Sequence, residues 1–440
     1  MTPSLPGSEQ WRFTADGDVD SSPTIIDNTV YVGDDAGYLY ALQASTGQRE
    51  WEFDVTDREE IFHGTFKSSS PTVANGVVYF AVSELSAGWL LAVDARTGSL
   101  NWKFELQNTL WESATLSEDT VFVGDVDLSE EDGSRFYAVD RASGSQRWTQ
   151  VFEDGFNSSP TVVDDTVYIG CDDGHVYALD TATGEQRWAF DAHDQVRSSP
   201  TVVDGTVYVG SGSGGVYAID ARTGTRQWCY NPRAGGIRSS PTVADNTVYV
   251  GTGVFLEAID AGTGEQLWQF ETDNTLSSSP TVAGSAVYVG SWDNQLYAVD
   301  PATGTENWSV ETGDQIRSAP TVKDGTVYVG GQDGTVYAIA ADSPDADSHG
   351  SRVLLGTLGH HDERTTDARA VDERVSVPHE QASADSSPTK LFEGTDEDGL
   401  SSTTSQRGTH SLERSSNAEF SAKFCTYCGV DLRKIPDGRY

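Results

Sequence analysis

Ser198-Ser199-Pro200-Thr201-Val202-Val203-Asp204-Gly205-Thr206-Val207-Tyr208-Val209-Gly210, continued through Val216-Tyr217-Ala218-Ile219-Asp220 to Thr223-Gly224 and Trp228, is the stretch that decides the fold. Its apolar and small residues alternate with the period of a pleated strand. Asp204-Gly205 breaks the first alternation with the residue pair that a tight hairpin favours, because both central positions need positive φ. Ser211 to Gly215 turns the chain a second time and Thr223-Gly224 a third. Four short strands joined by three tight turns predict one antiparallel blade.

The stretch repeats along the chain. Trp11, Trp51, Trp102, Trp148, Trp188, Trp228, Trp268 and Trp308 recur in register, at intervals of 40 residues from Trp148 onward. Seven of them stand five residues after a Thr or Ser that precedes Gly. The Pro of Ser-Ser-Pro recurs in step, at Pro23, Pro71, Pro160, Pro200, Pro241, Pro280 and Pro320, with Ala114 in its place in the third copy. Such a period is the mark of a β-propeller. The last unit, from Arg317, ends near Ala340 without a fourth strand, whereas Trp11 precedes every unit. The strand around Gln10–Thr14 is therefore expected to complete blade eight and remove an open seam. The reading is an all-β, eight-bladed propeller over residues 9–340, a linker over 341–422 expected to be disordered, and a Cys-x-x-Cys zinc knuckle over 423–440.

The element Ala178-Leu179-Asp180-Thr181-Ala182-Thr183-Gly184, closed by Trp188, resembles the tryptophan-docking repeat of pyrroloquinoline-quinone (PQQ) propellers, and the resemblance extends over all eight blades. It implies that each Trp packs between blades, a structural role that suits a large flat ring. The family includes quinoprotein dehydrogenases and also non-catalytic binding members of the BamB type. The dehydrogenases resemble one another in a vicinal Cys-Cys pair, a calcium site beside the quinone and a catalytic Asp. This chain has no Cys-Cys; Cys171 and Cys229 stand in different blades, and no Cys-x-x-Cys-His haem attachment occurs. Asp34-Asp35 and Asp172-Asp173 fall in the second turns of their blades, where they are expected to shape hairpins. The expectation is a non-catalytic binding or scaffold propeller without bound PQQ. The alternative is a diverged PQQ-dependent oxidoreductase, since fold alone does not carry chemistry.

The formal net charge is -40, with only 28 Lys+Arg against 68 Asp+Glu. Residues 1–345 hold 17 basic and 52 acidic residues, a balance of -35. Lys is scarce, six against 22 Arg. An acidic surface of this kind stays soluble when salt screens it, which points to a halophilic host. It also argues against nucleic-acid binding. No signal-like or membrane-spanning apolar run is present, so a cytoplasmic location without membrane insertion is expected.

Against that acidic field, the residue three before each Pro (or Ala114) reads Asp20, Ser68, Trp111, Asn157, Arg197, Arg238, Ser277 and Arg317 around the ring. These positions are expected at the channel mouth. Arg197, Arg238 and Arg317 suit bidentate recognition of a carboxylate or phosphate, from a protein partner or an anionic small molecule. The bland reading pairs each Arg with a nearby acid such as Asp194 or Asp314. Trp111, Trp89 and Trp292 stand outside the docking positions and are candidates for a recognition surface, with Trp89 equally placed for a local core and Trp292 expected in an exposed turn. Blade three departs most, with Glu112-Ser113-Ala114 for Ser-Ser-Pro and an acidic insertion at 125–133.

The C-terminal Lys423-Phe424-Cys425-Thr426-Tyr427-Cys428-Gly429 has the form of half a zinc ribbon. Cys425 and Cys428 supply two thiolates of a tetrahedral Zn²⁺ site. The others have three candidate sources: a second tail in a homodimer, the tail histidines His349, His360, His361, His379 and His410, or a partner. The alternative is a remnant that binds no metal.

Overall fold

The computed structural model describes residues 5–55, 67–84, 87–129, 132–232 and 235–348, with only backbone at 67–68. Eight antiparallel sheets form the propeller. The blade quoted above consists of Thr201–Val203, Thr206–Gly210, Val216–Asp220 and Arg226–Tyr230, paired in that order. Blade two gains Lys67–Ser68, which pairs with Val77–Ser83 beside Thr72–Ala74. Blade eight is Thr321–Lys323, Thr326–Gly330 and Thr335–Ala340 with Glu9–Thr14 as its outer strand, so the first and last strands of the ring are joined within one sheet.

The cores lie between blades rather than within them. One buries Tyr168, Val176 and Trp188 of blade four against Val202, Val207, Tyr217 and Ile219 of blade five. Another buries Trp11 and Tyr328 of blade eight against Val30, Tyr40 and Leu42 of blade one, across the seam. Each of the eight interfaces carries such a cluster, so the ring is held by neighbour contacts.

The Trp repeat supplies the rim of these interfaces. Trp188 donates its indole N–H to the Ala221 carbonyl of the next blade at 2.9 Å, and its ring lies against Gly224. Gly224 has φ +70°, and a Cβ there would stand 2.8 Å from the ring, so Gly is required on both counts. Asp220 caps the same turn, accepting from the Thr223 amide at 2.8 Å and its hydroxyl at 2.7 Å. Trp308 closes the series differently. Its indole N–H meets the Asp342 carboxylate at 2.6 Å, and Gly7, from the other end of the chain, lies against its ring.

The expected linker boundary at 341 shifts outward. Ala341 and Ala346 are buried in the core between blades seven and eight. The Ser348 amide donates to the Val322 carbonyl at 2.9 Å. Backbone bonds from the Ala341 amide to the Gly325 carbonyl and from the Gly325 amide to the Ala346 carbonyl, each at 2.9 Å, tie this segment to blade eight. Cys425, Cys428 and the tail histidines lie outside the described residues.

Candidate functional site: the channel mouth

Ser-Ser-Pro-Thr builds the inner wall, and each of its residues has a separate task. The first Ser ties the lead-in turn to its own blade. Ser198 donates to the Gly210 carbonyl at 2.9 Å and accepts from the Gly210 amide at 2.7 Å. The second Ser accepts from the preceding blade: the Ser199 Oγ receives the Ser159 amide, and the Ser240 Oγ receives the Ser199 amide, each at 2.9 Å. Pro offers its carbonyl to the Thr of the preceding blade. Thr201 Oγ1 donates to the Pro241 carbonyl at 2.6 Å, and Thr321 Oγ1 reaches Pro23 at 2.7 Å across the seam. Eight such Thr bonds close a full belt, with Ala114 serving in place of Pro in blade three.

Above these belts opens a cavity of about 240 Å³ lined by residues of all eight blades. It contains six of the positions expected at the mouth: Asp20, Trp111, Arg197, Arg238, Ser277 and Arg317. Asp35 and Glu112 share the lining.

The three arginines are not equivalent. Arg197 forks onto Asp172 of the neighbouring blade, Nε to Oδ1 at 3.1 Å and Nη2 to Oδ2 at 2.9 Å. The same carboxylate accepts the Asn157 amide at 2.7 Å. Its acid is thus Asp172, not the sequence-adjacent Asp194, because the ring brings adjacent blades closer than successive residues. Arg317 stands 3.7 Å from Asp20 across the seam, a loose pairing, and its guanidinium lies 4.8 Å from the centre of the Trp292 ring. Arg238 is exposed and makes no ion pair among the described residues.

The tryptophans sort as sharply. Trp111 is 44% exposed at the mouth. Trp292 is half-buried rather than exposed in its turn, because it lies under Arg317 and donates its indole N–H to Ser277 Oγ at 2.7 Å. Trp111 lines the cavity, whereas Trp292, in a blade four places further round the ring, does not and reaches it only through Arg317 and Ser277. Trp89 is 7% exposed and belongs to the core between blades one and two, so it is removed from the surface candidates.

Glu112 takes the place of the first Ser. Its carboxylate accepts from Ser159 Oγ at 3.2 Å. Part of its surface faces the channel, but the wall surrounds the carboxyl group. Burial, with the Asp172 charge adding to it and the Ser159 bond opposing it, pushes its pKa up to about 8. Sequence reading noted the departure at 112–114 but passed over Glu112 itself. The available signal was a titratable group at a position otherwise held by Ser.

The acidic pairs of the second turns divide their tasks: Asp34 and Asp173 hold their turns, whereas Asp35 lines the cavity and Asp172 pairs with Arg197. Asp34 is fully buried, accepting from the Tyr38 and Gly17 amides at 2.8 and 2.9 Å and from the Tyr40 hydroxyl at 3.0 Å. Asp125, at the head of the acidic insertion, accepts from the Arg135 amide and the Tyr137 hydroxyl in the same way. Among the described residues no three His, Cys, Asp or Glu side chains come together as a metal site would need.

Closed by its outer strand and lined in this way, the ring is a PQQ-type repeat propeller. A family profile described as outer membrane protein assembly factor BamB matches residues 4–125, 86–254 and 253–391, and the chain belongs to that family. The crystal structure of BamB from Moraxella catarrhalis superposes with a TM-score of 0.63 at 21% identity, covering 76% of this chain and 99% of that one. The computationally designed Ika8 protein gives 0.63 at 18%, covering 76% and 100%. Quinohemoprotein alcohol dehydrogenase from Comamonas testosteroni gives 0.60 at 16%, covering 76% and 77%. At these identities the likeness is one of fold. No curated protein matches the sequence.

Proposed function

We propose that the protein is a non-catalytic binding propeller that presents its channel mouth to an acidic segment of a protein partner. The observation that carries this reading is the gathering of Arg238 and Arg317 with Trp111 at one cavity in a domain that is otherwise strongly acidic. Aromatic and Arg side chains at a concave centre are the usual anchors of a protein interface. A local positive site within a negative surround also selects orientation as the partner approaches. BamB, an outer membrane assembly factor by its description, is a relative for which protein assembly is the stated role.

The competing reading is a PQQ-dependent oxidoreductase. The residues at hand fit it poorly, since no vicinal Cys-Cys pair occurs in the chain and no three His, Cys, Asp or Glu side chains among the described residues gather as a metal beside the quinone would need. Adding PQQ and Ca²⁺ to purified protein and following quinone absorbance together with dye-linked alcohol oxidation separates the two. No retained quinone and no turnover is expected; stoichiometric quinone with turnover would overturn the binding reading.

Two further parts of the reading rest on sequence. Cys425 and Cys428 hold Zn²⁺ with ligands from a second tail or a partner, and metal analysis should give about half a zinc per chain in a homodimer bridge. A zinc content unaffected by Cys425→Ser with Cys428→Ser would refute this. The acidic surface belongs to a high-salt cytoplasm, so the melting temperature should rise with KCl. A flat response would remove the halophilic reading.

A further inference from the structure

The serine belt at the mouth has one break, and it falls beside two of the arginines. Going round the ring, the amide of each second-position residue donates to the Ser Oγ of the following blade: Ser22 to Ser70, Ser70 to Ser113, Ser113 to Ser159, and on to Ser240, which donates to Ser279 at 2.9 Å. Blade eight has Ala319 at this position. Its own amide still donates to Ser22 Oγ at 2.8 Å, so the geometry of the belt is kept. What Ala319 lacks is the hydroxyl that would accept from Ser279. The Ser279 N–H has no hydrogen-bond partner among the described residues, although Ser279 and Ala319 both line the cavity. An amide N–H on a half-buried wall, with no acceptor from the protein, is free to donate to a ligand at the mouth.

The surroundings specify what that acceptor is. Arg238 in blade six and Arg317 in blade eight flank Ser279 in blade seven, and all three line the same cavity. Arg238 has no acid partner among the described residues, Arg317 has a loose one, and the Arg317 guanidinium lies over the Trp292 ring at 4.8 Å from its centre. Arg197 is different, because Asp172 occupies both edges of its fork.

We infer that a carboxylate of the partner is held on the arc of blades six to eight by the Ser279 N–H, Arg238 and Arg317, and that Ala319 is the residue that opens this site. The inference rests on the proposed binding role of the mouth. A carboxylate is preferred to a phosphate because a cavity of about 240 Å³ admits one side chain or chain end. A monoanion also meets less repulsion than a dianion from the surrounding -35 field. Asp20 faces Arg317, while Asp35 and Glu112 share the lining. They leave the arc of blades six to eight as the basic side of the mouth.

The test uses full-length protein, Trp fluorescence and calorimetry. The probes are N-acetylglycine for a chain end, N-acetylglutamic acid α-amide for an acidic side chain, N-acetylglycinamide as the neutral control, and inorganic phosphate. One or both carboxylates should bind, and which one binds identifies the source; the neutral amide should not. Ala319→Ser is the decisive variant. It supplies the missing acceptor, so it should keep or raise the melting temperature while weakening carboxylate binding about tenfold, the worth of one charge-assisted hydrogen bond. Arg238→Ala and Arg317→Ala should weaken binding at least as much, and Arg226→Ala, on an outer strand and outside the cavity lining, should leave it unchanged. If Ala319→Ser binds as wild type while the Arg238 and Arg317 variants fail, the Ser279 site is wrong but the mouth remains the binding surface. Phosphate binding without carboxylate binding overturns the ligand class. If no probe binds to wild type, the inference falls, and partner capture by mouth variants decides the wider reading separately.

Discussion

Glu112 shows how much one residue changes the mouth. Seven blades place Ser at this position, and a carboxyl group held above its ordinary value of 4.5 stands in the eighth. A carboxyl whose folded pKa is raised contributes stability that is complete below the unfolded value and is lost as pH rises through the folded value. For Glu112 that window runs from 4.5 to about 8. Glu112→Gln should therefore match wild type in melting temperature near pH 4 and exceed it near pH 9. Equal pH profiles would mean that Glu112 is not held neutral. Trp188 and Trp292 form a second contrast. Trp188→Ala removes a ring buried between two blades and should cost roughly 3–5 kcal/mol. Trp292→Ala should cost less, yet it frees the Arg317 guanidinium. Denaturant unfolding measures both, and equal losses would place Trp292 in the core.

At the scale of the blade, strands, turns and order were legible in the sequence because their signals are local. Asp204-Gly205 announces its own hairpin, and Val216-Tyr217-Ala218-Ile219 its own strand. The meaning of Ser-Ser-Pro-Thr was not legible, because the partners of Ser199 and Thr201 lie about one blade away and local periodicity says nothing of them. The same holds for the site. Spacing brought Arg197, Arg238 and Arg317 to one mouth, but only the fold shows that Asp172 has claimed Arg197. Trp292 departs from its expected exposed turn, and Trp89 stays open between surface and core, for a related reason: an irregular Trp in a strand or turn looks the same in sequence whether it faces solvent or a neighbouring blade. The Thr belt offers a direct check. Thr201→Val keeps shape but leaves the Pro241 carbonyl without its donor, and should cost about 1–3 kcal/mol in urea unfolding. A neutral result would mean that the belt follows from the packing and does not support it.

For the whole molecule, closure is the feature on which both fold and site depend. Glu9–Thr14 supplies the outer strand of blade eight, Trp11 the core beside blade one, and Gly7 the surface under Trp308. The mouth spans the same seam through Asp20 and Arg317. Deleting residues 1–15 should expose the edge of Thr335–Ala340, lower the melting temperature and promote association. An unchanged melt would refute closure by this strand.

The central claim is that the channel mouth binds a protein partner. It is tested most directly by quantitative affinity capture at high salt from the native host, comparing wild type with a Trp111→Ala, Arg238→Ala, Arg317→Ala variant of the mouth and with Arg226→Ala on an outer strand. One partner should be enriched by wild type and by the outer-strand variant and lost from the mouth variant, with all three proteins folded by near-ultraviolet circular dichroism. Retention of that partner by the mouth variant, or its loss through the outer-strand change alone, would contradict this claim.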